Sequence, residues 1–122
     1  MKKLMTAALA MAAGLSCTAA SAQSAPDGET LFKQRCQSCH SVTSALPVTL
    51  GPSLRGVVDR EAASTDFLYS EALKKSGLAW NRDNLDRFMA APSKMIPGTR
   101  MIVSLADPKQ RAAIIGFLEG MR

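Results

Sequence analysis

Cys36-Gln37-Ser38-Cys39-His40 sets two thiols and the chain's one histidine within a single short run. The order C-x-x-C-H is the attachment sequence of a c-type haem. The spacing follows from the chemistry. Two thiols near the end of a helix add to the two vinyl groups on one porphyrin edge, and the imidazole immediately after the second thioether reaches the iron from the same face. Plainer uses fit these residues less well. Zinc takes four ligands, and after His40 there is no further cysteine or histidine. A thioredoxin-like dithiol needs an α/β frame, and no strand pattern competes here. A disulfide alone leaves His40 without a task.

The other face of the iron needs its own ligand. With no second histidine a bis-histidine site is excluded, and methionine is the next usual choice; His/Met ligation raises the reduction potential. Outside the N-terminal segment the candidates are Met89, Met95, Met101 and Met121. Met89 falls on the apolar face of a helical pattern and reads as core, and Met121 is almost terminal. Met95 and Met101 flank the turn residues Pro97-Gly98, and spacing leaves the choice between these two.

The chain that must position these groups has 122 residues, enough for one domain. It is 47% apolar and 20% charged, which places it among globular proteins. Its aromatic content of 5% makes a poor protein-only core. The net charge of +5 is spread along the chain, with no basic block to read as a nucleic-acid arm. Lys2, Lys3, the apolar run Leu4 to Leu15 and the A-x-A pattern Ala20-Ser21-Ala22 predict a secretory signal peptide over 1–22 and a mature domain over 23–122. The run is too short for a membrane span, which needs about 20 residues. Cys17 offers lipidation as an alternative, but no leucine stands where a lipobox usually places it. Losing Lys2 and Lys3 lowers the net charge from +5 to +3. Export places Cys36 and Cys39 in an oxidising compartment, where a free pair closes into a disulfide unless something else claims it.

Four helices are predicted. Asp27 caps the first, which carries Leu31 and Phe32 and runs into Cys36. A short helix around Asp66 to Ser76 has Leu68, Ala72 and Leu73 as its apolar side and is closed by Gly77. Asn81 caps a third with Leu85, Phe88 and Met89 on one face, stopped by Pro92. Asp107 and Pro108 open the last, with Ile114, Ile115, Phe117 and Leu118 as its buried face. Between them lie long irregular stretches, Ser41 to Gly56 (with Pro47) and Ser93 to Leu105. Long loops in a small domain usually wrap something, and a large apolar cofactor would complete this core.

From about Gly28 to Leu118 the chain resembles class I cytochrome c, the mono-haem carrier type of mitochondria and the bacterial periplasm. The landmarks are Gly28, Phe32, Cys36 to His40, Gly51-Pro52-Ser53-Leu54-Arg55-Gly56, Arg60, Phe67-Leu68-Tyr69, Trp80, Pro92 and Ile96-Pro97-Gly98-Thr99-Arg100-Met101. The resemblance implies an all-α cytochrome c fold, four to five short helices and long loops around one covalently bound haem c. It implies that His40 and Met101 are the metal ligands, and that Pro52 offers its carbonyl to the His40 ring N–H. Tyr69 and Trp80 would donate to a haem propionate, Arg60 would help hold that charge, and Thr99 would bond near the inner propionate. Gly28 and Phe32 would pack against Ile114 and Phe117. Two departures stand out: Phe88 replaces the family's usual tyrosine near the methionine sulfur, and Val103 stands where an aromatic often covers the haem edge.

An iron with both axial positions filled has no open site for substrate, so the expected function is one-electron transfer without catalysis, by a soluble, monomeric periplasmic carrier. Redox partners would dock transiently on a rim of Arg35, Lys94 and Arg100, thinner than the family's lysine rim because Thr49 and Ser93 are neutral. Two alternatives follow from other features. A dedicated haem subunit or electron acceptor of a periplasmic dehydrogenase would suit the low net charge, and a peroxidase or gas sensor would require Met101 to be absent from the iron.

Overall fold

The carboxylate of Asp27 accepts a hydrogen bond from the Thr30 N–H at 2.8 Å, which satisfies one of the free amides at the start of α1, Gly28–Arg35. The structure, a computed structural model, describes residues 26–43 and 50–122. Residues 1–22, read above as a signal peptide and including Cys17, and the loop residues Pro47 and Thr49 lie outside the described residues. Helices α2 (Glu71–Lys74), α3 (Arg82–Ala90), α4 (Pro92–Met95) and α5 (Pro108–Glu119) complete the set. Asn81 and Asp107 cap α3 and α5 by the same device, accepting from Asn84 N–H and Lys109 N–H at 2.8 Å each.

Helix α5 is the hub against which α1 and α3 both pack. Leu31 and Phe32 of α1, Leu85, Phe88 and Met89 of α3, and Ile114, Ile115 and Leu118 of α5 are buried together. At the α1/α5 crossing the Phe32 and Phe117 rings lie 5.4 Å apart. Gly28 meets Ala113 and Phe117: a Cβ at this position would sit 2.0 Å from the Ala113 carbonyl oxygen. The close approach therefore depends on a missing side chain.

Two expectations are corrected. The helix read from Asp66 begins only at Glu71, because the Ser70 hydroxyl accepts from the Leu73 N–H and sets the start there. Leu68 then falls in the preceding loop and is 74% exposed, so it is no part of an apolar helix face. Pro92 does end α3, but it also takes the first position of the one-turn α4, where its fixed φ and absent N–H cost nothing. The irregular stretch therefore begins after Met95.

No strand occurs among the described residues. The segment from 59 to 80 closes on itself through one isolated antiparallel bridge, Glu61 with Ala79. Trp80 N–H donates to Arg60 O at 2.8 Å and Asp59 N–H to Trp80 O at 3.0 Å. Asp59 takes φ 64°, a turn conformation that aspartate tolerates better than most side chains.

Candidate functional site

Helix α1 ends in a turn that delivers the C-x-x-C-H run. Cys36 N–H and Gln37 N–H both donate to Phe32 O, and His40 N–H donates to Cys36 O at 2.9 Å. The turn presents Cys36, Cys39 and His40 half-buried on the margin of the core. The two thiols are not bridged to each other. Burial and the neighbouring Cys39 push the Cys36 thiol up to about 11, the reverse of the lowered value that a redox dithiol requires.

His40 is fixed from two sides. Its Nδ1–H donates to the Pro52 carbonyl at 2.8 Å. A carbonyl can only accept, so a proton sits on Nδ1, and in the neutral ring the lone pair is left on Nε2. Burial lowers the imidazole's proton affinity below the ordinary value, with the Pro52 bond working the other way, a shift toward the neutral ring that metal ligation demands. Gly51 forms the second wall. Its N–H donates to Cys39 O at 2.9 Å, and a Cβ there would lie 2.6 Å from His40 Cε1.

Arg60 grips the loop that carries Pro52. Its two Nη groups donate to the carbonyls of Arg55 at 2.8 Å and Ser53 at 3.0 Å. This contact adds a loop-holding partner to the propionate role that the resemblance implies. Trp80 is buried against Phe88, with ring centroids 4.9 Å apart. Tyr69 is buried edge-on to Phe67 at 5.1 Å, and its hydroxyl pairs with that of Thr65.

On the opposite flank, Thr99 N–H donates to Ile96 O at 3.0 Å, closing the turn at Pro97-Gly98. Gly98 has φ 92°, which favours glycine, and a Cβ there would stand 3.1 Å from Ala72. The Arg100 guanidinium donates to the Leu68 carbonyl and ties this turn to the 65–70 loop. Met101 and Met95 are both half-buried against the core. Ile102 and Val103 beside Met101 are 85% and 45% exposed. The structure thus assembles Cys36 to His40, Gly51, Pro52, Arg60 and Trp80 into one connected group, and Tyr69, Leu68, Thr99, Arg100 and Met101 into another.

The donor set fits a covalently held haem. It offers two unbridged thiols, an oriented neutral imidazole with Nε2 free, a thioether on a separate loop, and an apolar margin of Val42, Leu54, Leu73 and Met95. Among the described residues no three His, Cys, Asp or Glu converge as a cage for a bare metal ion.

The comparisons with known proteins point the same way. The cytochrome c family model matches residues 25–122. Cytochrome c2 of Rhodomicrobium vannielii is 38% identical over 120 residues, covering 97% of this chain and 95% of that protein. Cytochrome c of Theileria annulata is 38% identical over 93 residues, covering 75% and 81%. The solved structure of cytochrome cH from Methylobacterium extorquens superposes with a TM-score of 0.70 at 38% identity, covering 76% of this chain and 94% of that one.

Proposed function

This chain belongs to the cytochrome c family, an electron carrier with covalently bound haem c rather than an enzyme, and from that premise we propose that it is a periplasmic, monomeric carrier whose iron is held by His40 and Met101. The observation that carries the reading is the His40 Nδ1–H bond to Pro52 O, which aims a neutral Nε2 away from the loop and raises its basicity. When bound, the haem supplies a one-electron iron couple.

The chain's own residues do the rest. Cys36 and Cys39 would tether the group by thioethers, His40 and Met101 would be its iron ligands, and the buried helices would keep those four side chains in place. Tyr69, Trp80, Thr99 and Arg60 would supply donors for the propionates, and Phe88, with no hydroxyl, would offer the methionine sulfur no hydrogen bond. The leader-like composition of residues 1–22, just ahead of the matched span 25–122, supports export. No helix among the described residues is long and apolar enough to cross a membrane.

Redox titration of the mature holoprotein tests this function. It is expected to take up one electron per chain, and the reduced form is expected to keep its spectrum under carbon monoxide. A carbonyl spectrum in the wild type would overturn the reading, because it requires an open iron position. Arg35, Lys94 and Arg100 are exposed and supply the docking rim. Electron-transfer rates with an acidic partner are expected to fall as ionic strength rises, and a flat profile would remove the rim from the account. The exposed Leu68, Ile102 and Val103 favour a second reading, a dedicated subunit of a periplasmic dehydrogenase, for which copurification with the enzyme is the test.

A further inference from the structure

Arg111 is a charged side chain in the core, only 9% exposed. Its Nε donates to Asp86 Oδ1 at 2.7 Å and its Nη2 to Asp86 Oδ2 at 3.4 Å. Its Nη1 donates to two consecutive carbonyls, Leu105 at 2.9 Å and Ala106 at 2.8 Å. A buried guanidinium is tolerated only when its donors are satisfied, and an apolar side chain is often as stable in such a place. The arrangement therefore has to be explained by what it holds.

It holds the exit of the segment that carries Met101. Before Met101 the chain is fixed by Thr99 N–H on Ile96 O and by Arg100 on Leu68 O. Among the described residues no backbone hydrogen bond engages residues 101–104, and Ile102, Val103 and Ser104 are exposed. The next anchors are Leu105 N–H on Met89 O at 2.8 Å and the two carbonyl bonds from Arg111. Arg111 sits on α5 and Asp86 on α3, so the grip refers the loop to both helices of the core.

We infer that Arg111, set by Asp86, is a positioning residue that holds the 101–104 segment taut so that the Met101 thioether stays on the iron. The inference rests on Met101 being the second axial ligand. A thioether is a weak neutral ligand, so slack in its loop lets a nitrogen base compete.

The test is imidazole binding to the ferric holoprotein, followed by loss of the weak far-red band that marks a methionine–iron bond. Arg111→Gln is expected to raise imidazole affinity about tenfold, the factor matching about 1.4 kcal/mol of lost loop restraint. Asp86→Asn should raise it less, because the carbonyl bonds remain. Arg111→Lys should fall between wild type and Arg111→Gln, and it carries the test if Arg111→Gln does not accumulate as holoprotein. Ile115→Val, buried on the same helix, should lower the unfolding midpoint while leaving imidazole affinity unchanged, since local opening and global unfolding are separate events. Arg111 variants that lose global stability with imidazole affinity unchanged would overturn the clamp alone. A wild type with no far-red band would overturn the ligation and the clamp together.

Discussion

Replacing Gly28 with alanine is expected to destabilise the holoprotein by about 3 kcal/mol or more, a thermal shift on the order of 15 °C for a domain of this size. Two effects oppose each other. Alanine gains about 1 kcal/mol over glycine in a helix interior, and less at the first helical position that Gly28 occupies. Against this, the added Cβ would lie 2.0 Å from the Ala113 carbonyl oxygen, 2.8 Å from its carbon and 2.9 Å from Phe117 Cβ. Two of these three atoms are backbone on α5, so relief requires the helices to separate and the Phe32–Phe117 contact to open. Gly116→Ala on α5 is the matched control: nothing lies within 4 Å of its added Cβ. There the propensity gain is unopposed, and a neutral or slightly stabilising change of up to about 1 kcal/mol is expected. Denaturant unfolding of the two variants measures both. Equal effects would show that the crossing tolerates a side chain.

Gly51→Ala is expected to cost about 2 kcal/mol or more and to rotate the imidazole, with altered hyperfine-shifted resonances of the ferric protein. Its Cβ would stand 2.6 Å from His40 Cε1, 2.8 Å from Nδ1 and 3.0 Å from Cys39 O. A ring can normally swing aside, but this one is pinned by its bond to Pro52 O, so movement sacrifices that bond. Unlike Gly98, Gly51 does not have a positive φ, so the effect isolates crowding of the His40 ring from backbone strain. Unchanged resonances with unchanged stability would mean the loop yields instead of the ring.

Much of this frame could be read from local chemistry. The C-x-x-C-H run and the caps Asp27, Asn81 and Asp107 are short-range patterns, and each cap accepts the hydrogen bond its residue type implies. Pro108 and the apolar positions of α5 are equally local. The rest depends on residues distant in sequence. Leu68 looks apolar in register with Ala72, but Ser70 caps between them and Arg100, 32 residues on, takes its carbonyl. Gly51 stands in a recognisable run, yet its contact with His40 becomes visible only once the loop has folded back. Arg111 resembles any surface arginine on a helix, and nothing adjacent signals Asp86, 25 positions earlier. Met95 and Met101 could not be separated by spacing, since both flank the same turn and both end half-buried.

That last pair defines the decisive measurement, the far-red absorption of the ferric holoprotein in the wild type, Met95→Leu and Met101→Leu. The weak methionine–iron band is expected in the wild type and Met95→Leu and absent from Met101→Leu, whose reduction potential should also fall. A band that survives in Met101→Leu, or that the wild type lacks, would contradict the assignment of His40 and Met101 as the two axial ligands.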